Sequence, residues 1–117
     1  MIPYRPLRKK LVFSFGGSDT QKSANIYLEG KLHHVHVRVP DFANAVTAGV
    51  AVADPDGYAY LEETSLAENQ NHNLVFAKEV LLLGEGGTVK VTLSGAPGGA
   101  GGEVIVALYY FGVGESG

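Results

Sequence analysis

The sequence predicts an all-β fold, a single-domain β-sandwich that is jelly-roll-like, with about eight short strands and an extended N-terminal arm. Three observations carry this. Lys31–Val39 (K-L-H-H-V-H-V-R-V) and Thr88–Leu93 (T-V-K-V-T-L) alternate apolar and polar residues with the period of a half-buried strand. Asp54-Pro55-Asp56-Gly57 is a tight-turn sequence set between β-branched and aromatic flanks. Glycine, at 16 of 117 residues, is about twice its usual share of roughly 7%, so many turns are expected.

Taken in order, the chain divides into an extended arm over residues 1–10, a sandwich over 11–112 and a flexible tail over 113–117. Met1–Pro6 (M-I-P-Y-R-P) holds two prolines in six residues, which excludes helix and implies an extended segment lying on its own domain or on a neighbour. Leu11, Phe13 and Phe15 alternate with Val12 and Ser14 as a first strand, stopped by Gly16-Gly17. Ser18–Ser23 is a polar loop. Ala24–Leu28 is a short strand turned at Glu29-Gly30 to pair with the next segment, Lys31–Val39. There Val35, Val37 and Val39 share one face and His34, His36 and Arg38 the other, until Pro40 ends the strand. Asp41–Ala48 is long enough to cross between sheets.

Thr47–Glu62 contains the strongest local instruction. Pro55 fixes φ for the first central position of a type I turn, Asp54 can cap that turn, and Gly57 can take positive φ. Val50 and Val52 fall on one face of the first arm of this hairpin, Tyr58 and Tyr60 on one face of the second. Glu62–Asn73 holds the single candidate helical turn, around Thr64–Asn69 with Thr64 or Ser65 as cap. Leu74–Leu83 suits a strand broken near Lys78-Glu79. After a turn at Gly84–Gly87, Thr88–Leu93 points Val89, Val91 and Leu93 inward. Ser94–Gly102 is a flexible loop of small residues, and Glu103–Phe111, apolar on both faces, reads as a central strand.

The totals narrow the function. A chain of 117 residues suits one core. The absence of cysteine excludes disulfides, thiolate metal sites and cysteine nucleophiles. With 9 basic and 12 acidic residues the net charge is −3, which argues against general electrostatic binding of nucleic acid. Arg5, Arg8, Lys9 and Lys10 form the one basic cluster, and the Leu11-Val12-Phe13 that follows is too short for the apolar region of a signal peptide. No stretch approaches a membrane span. The expectation is a soluble protein made in the cytoplasm, with no membrane partner.

Several constellations invite chemistry. His34 and His36 project from one strand face, beside His33, and imidazole is a common ligand for zinc, iron or copper. A His-x-His strand followed by an acid, here Asp41, resembles the cupins, small jelly rolls with a metal inside the barrel. The motif departs from theirs: the acid lies beyond Pro40, Gly30 is misplaced, and His72 lacks the expected frame. Arg38 on the same face would also repel a cation, so an exposed or interface strand face is the preferred reading. Asp54–Gly57 lacks the later oxygen ligands of a calcium loop. Neither Gly84–Gly87 nor Gly95–Gly102 leads into a helix, as a phosphate cradle would. No Gly-x-Ser-x-Gly elbow is present. Glu62, Glu63 and Glu68 read as solvated, and Tyr109, Tyr110 and Phe111 as sheet core or subunit interface rather than a stacking platform. No catalytic set and no cofactor are expected.

The V-x-V-x-V-P run at Val35–Pro40, the D-P-D-G turn, E-E-T-S-L-A-E-N-Q-N-H-N, L-L-L-G-E-G-G-T-V-K-V-T-L-S-G and the closing V-I-V-A-L-Y-Y-F together resemble small β-sandwich virion proteins of tailed bacteriophages. The likeness runs from about Asn25 onward and is one of strand and turn style rather than of a diagnostic motif. It implies a non-enzymatic decoration or cement protein that binds the outside of an assembled capsid, through the major capsid protein or another virion protein. It also implies a homo-oligomer, with a trimer favoured. On that reading the arm meets an acidic surface through Tyr4, Arg5, Arg8, Lys9 and Lys10, and the Gly95–Gly102 loop is an exposed tip. The protein would be made in the host cytoplasm and reside on the virion surface. The alternatives are a carbohydrate- or ligand-binding β-sandwich module, using Tyr58, Tyr60 or the His34/His36 face, and a degenerate metal-binding cupin-like protein.

Overall fold

The apolar half of each alternating segment needs cover, and the chain supplies it by stacking two four-stranded antiparallel sheets. The computed structural model describes residues 4–27, 29–54, 56, 58–83 and 87–113. Its strands are β1 (Tyr4–Phe15), β2 (Gln21–Ile26), β3 (Glu29–Val39), β4 (Ala48–Ala53), β5 (Ala59–Leu66), β6 (Gln70–Leu83), β7 (Gly87–Leu93) and β8 (Gly102–Val113), with no helix among the described residues. One sheet has the order β1-β8-β3-β6 and the other β2-β7-β4-β5. The antiparallel pairs β4·β5, β3·β6, β2·β7 and β1·β8 are nested, so the chain runs out to the β4–β5 hairpin and returns strand by strand beside itself. That is the jelly roll.

The core lies between the sheets. Val35, Val37 and Val39 of β3 and Val104, Val106 and Leu108 of β8 face Val50 and Val52 of β4 and Val89 and Val91 of β7, all fully buried or nearly so. Along these four strands every second residue therefore loses its water contact, worth about 1.5–3 kcal/mol for a fully buried Val or Leu. The described residues include no buried polar or charged side chain.

The hairpin at the centre of the nesting forms as its sequence predicts. Asp54 accepts hydrogen bonds at Oδ1 from the backbone N–H of Asp56 (2.9 Å) and Tyr58 (2.8 Å), and its own N–H donates to the Tyr58 carbonyl (2.9 Å). Pro55 and Gly57 lie outside the described residues. Asp54→Ala removes the acceptor for two donors and should cost about 1–2 kcal/mol. A urea unfolding curve should show a lower midpoint with unchanged slope.

Several expectations differ from what is observed. The helical turn at Thr64–Asn69 is absent. β5 runs to Leu66, and Thr64 and Ser65 together oppose Gly49 in a bulge where Ser65 takes φ 64°. Asn69, at φ 57°, then turns the chain into β6. The second strand begins at Gln21 rather than Ala24 and pairs with β7, not with β3. Its outward residues are polar because it is an exposed edge, so only Ala24 and Ile26 signalled it. Leu28 itself lies outside the described residues. The break near Lys78-Glu79 is a slip in the ladder, not a gap in the strand. His34 pairs with Val75 but Leu32 with Val80, which sets residues 76–79 of β6 against His33 alone.

Finally, the Ser94–Gly102 loop is tied down. Asn44 donates from its backbone N–H to the Pro97 carbonyl (2.8 Å) and from Nδ2 to the Ala96 carbonyl (3.0 Å), and Gly98 N–H donates to the Gly17 carbonyl (2.8 Å).

The boundary placed after residue 10 falls inside a strand. β1 starts at Tyr4 and pairs with β8 without interruption from Tyr4↔Val113 to Phe15↔Gly102. Pro6 is accommodated because β1 is the edge of its sheet, where a missing N–H breaks no inner ladder. Residues 1–3 and 114–117 lie outside the described residues.

Candidate interaction face

The residues that stand opposite the core on the β1-β8-β3-β6 sheet form a continuous outer face. Register across the sheet sets it out in three rows: Arg8, Tyr109, His34, Val75; then Lys10, Ala107, His36, Asn73; then Val12, Ile105, Arg38, Asn71. Strand alternation causes this grouping, since the intervening residues Leu11 and Phe13 of β1, Val104, Val106 and Leu108 of β8 and Val35 and Val37 of β3 turn to the core.

The first row is built around Tyr109. His34 stacks on its ring with centroids 4.4 Å apart and planes 8° from parallel. Arg8 donates from Nε to the Tyr109 hydroxyl (3.1 Å), with its guanidinium carbon 5.8 Å from the ring centroid. His33, in the irregular segment between Leu32 and His34, brings Nδ1 to 2.8 Å from Nδ1 of His34 and sets its ring edge-on to Phe111 at 5.7 Å. One of those two nitrogens must be unprotonated for the contact to be a hydrogen bond. In the third row Arg38 donates from Nη1 to Oδ1 of Asn71 (3.3 Å). At the end of the face Ser14 donates to Glu103 Oε2 (3.4 Å).

Partial burial, and then the neighbouring His33 and His36, hold the His34 pKa below the ordinary histidine value. A folded-state pKa below the unfolded one means that the stability His34 contributes is fully present above an unfolded value of about 6.5. It is lost as pH falls below that value toward the folded pKa. An NMR titration should find the His34 ring protonating below the ordinary histidine range. A midpoint at or above that range would contradict the stacked, partly buried environment.

The candidate partner-binding residues separate on this strand. Arg8 and Lys10 lie on the outer face. Lys9 occupies the alternate register with Leu11 and Phe13 and is exposed. The side chains of Tyr4 and Arg5 lie outside the described residues, while their backbones pair with Val113 and Gly112. His34 and His36 lie on the outside of the sandwich, whereas a cupin-like metal would sit inside it, where Val35 and Val37 fill the space. Among the described residues no group of three or more His, Cys, Asp or Glu could hold a metal ion. His72 is engaged with the Ala67 carbonyl through Nε2 (2.8 Å), and Glu68 accepts from the Phe42 N–H (3.1 Å); both brace the connections at one end of the sandwich.

Tyr58 and Tyr60 meet edge to face, 6.4 Å apart at 74°, which does not make the flat strip a sugar ring would stack on. Tyr110 packs against the core, while Tyr109 and Phe111 face outward onto histidines. The imidazole–aromatic cluster was not legible beforehand because it depends on which residue of β8 stands opposite His34. On the other sheet, small residues Gly49, Ala51 and Ala53 leave a shallow trough between Lys90 and Glu62.

Comparison with solved structures adds the fold's context. A chain of the capsid asymmetric unit of cyanophage Pam1 superposes with a TM-score of 0.71 at 19% identity, over 96% of this chain and 88% of that one. A chain of the acid-stable capsid of Helicobacter pylori bacteriophage KHP30 gives 0.55 at 16%, over 93% and 90%. A chain of the Bacillus endospore appendages, described as disulfide-linked pili, gives 0.51 at 13%, over 93% and 90%. At these identities the likeness is one of fold. No protein-family model matches the chain, and no curated protein matches it by sequence.

Proposed function

We propose that this chain is a non-enzymatic structural protein of a tailed-phage virion, a decoration or cement protein that binds the assembled head shell and stabilises it. The observation that carries the reading is end-to-end correspondence with two phage capsid chains, each covered to about nine-tenths by this fold. Those chains are thus single sandwich domains of similar size. The pilus chain supports self-assembly as a property of the fold more broadly, but its disulfide linkage is not open to a chain without cysteine.

In this role the protein is made in the host cytoplasm and sits on the capsid surface, contacting the major capsid protein or another virion protein. It acts as a small homo-oligomer, with the trimer favoured. Tyr4, Arg5, Arg8, Lys9 and Lys10 of the N-terminal strand meet an acidic surface.

The test is co-sedimentation of purified protein with shells of the encoding virus prepared without it. Saturation at a fixed ratio to the shell protein is expected, together with a raised shell disruption temperature. Protein left in the supernatant at all concentrations would sink the reading.

A further inference from the structure

We propose that the outer face of the β1-β8-β3-β6 sheet is the docking surface for an acidic protein surface on the shell, with Arg8, Lys10 and Arg38 as its cationic contacts around an apolar centre at Val12 and Ile105. This rests on the virion reading above and extends it from one strand to a face spanning β1, β8 and β3.

Charge is the first argument. In the three rows set out above Arg8, Lys10 and Arg38 stand with no acidic residue among them, and Glu103 lies beyond the third row against Ser14, although the chain as a whole carries −3. The one ion pair among the described residues, Lys22 with Asp19, lies elsewhere. Arg8 and Arg38 are held by neutral partners, the Tyr109 hydroxyl and the Asn71 carbonyl oxygen, which fix their geometry and leave their charge uncompensated. Cations already ordered in this way lose less side-chain entropy on binding.

Composition is the second. Val12 is 47% exposed and Val75 61%, and Ile105 stands between Val12 and Arg38 in the register. Apolar residues interleaved with arginines and a tyrosine match a protein interface, with its apolar centre and polar rim. A phosphate-binding track would need an unbroken line of cations, and here Ala107 and Ile105 interrupt it. A second copy using the same face is disfavoured because a twofold contact would set cations against cations.

The experiment uses the full chain and the same protein-free shells. Wild type, R38E/K10E, R38Q/K10Q and a control K90E on the opposite sheet are compared at low and raised salt, with circular dichroism to establish folding. The expected result is binding that weakens with salt, a loss of tenfold or more in R38E/K10E, a smaller loss in R38Q/K10Q and no change in K90E. Unchanged affinity in the folded charge variants, or an equal loss in K90E, would overturn the face while leaving the virion reading standing. Failure of wild type to bind any shell would remove both. A native mass that falls in R38E/K10E would assign the face to contacts between copies, and retention of wild type on single-stranded DNA at physiological salt would assign it to nucleic acid; either overturns the proposal.

Discussion

Gly101→Ala is expected to be the most disruptive glycine-to-alanine substitution among the described residues. Gly101 takes φ +75°, where a side chain costs about 1–2 kcal/mol. A Cβ there would collide with the Phe15 carbonyl oxygen and stand 2.8 Å from its carbon. Neither atom can retreat freely, because Phe15 is buried in the core and its backbone closes the β1·β8 ladder opposite Gly102. Adding the cost of overpacking against backbone, about 1–3 kcal/mol, gives an expected loss of about 2–5 kcal/mol. Gly99→Ala is the matched control. Its φ is +55°, but the nearest atom to a new Cβ is the Ala43 Cβ at 3.1 Å, so it should cost only about 1–2 kcal/mol. Equal denaturation midpoints for the two variants would show that the loop does not hold the strand end as described.

Leu108→Ala tests the core from the middle of the long sheet. Leu108 is fully buried on β8, paired with Lys9 on one side and Val35 on the other. Truncation should cost about 2–5 kcal/mol, the spread reflecting how far the two sheets can close on the space left. Val12→Ala on the outer face of the adjacent strand should change stability by less than about 0.5 kcal/mol, because that side chain already meets water. The contrast between the two reads out the alternation directly. A large loss at Val12 with a small one at Leu108 would mean that the faces are assigned the wrong way round.

These assignments were legible from the sequence wherever a face is half-wet. β3 and β7 showed their inner valines because His34, His36, Arg38, Thr88, Lys90 and Thr92 are polar enough to mark the outer side. The hairpin was legible because Asp54 supplies the acceptor for two N–H groups within the turn itself. β2 and β5 were less so: both are edge strands whose ladders are open on one side, so their exposed residues carry polar and turn-forming types that imitate loop or helix cap. Strand order could not be read, since periodicity says which way a side chain points and nothing about its neighbour.

The same limit governs the interaction face. Arg8 and Lys10 stood out as a basic cluster, but Arg38 joins them only through the register of β8, which lies between β1 and β3 while coming last in the chain. Deleting residues 1–10 would be a poorer probe than charge substitution, because it would remove more than half of β1.

The proposed role places the protein on the head shell of a virus that encodes it. Its most direct test is the copy number per particle in purified virions of the encoding virus, measured by quantitative mass spectrometry against the major capsid protein. A fixed ratio set by the shell lattice is expected. Absence from the virion, or a handful of copies in step with the tail proteins, would contradict it.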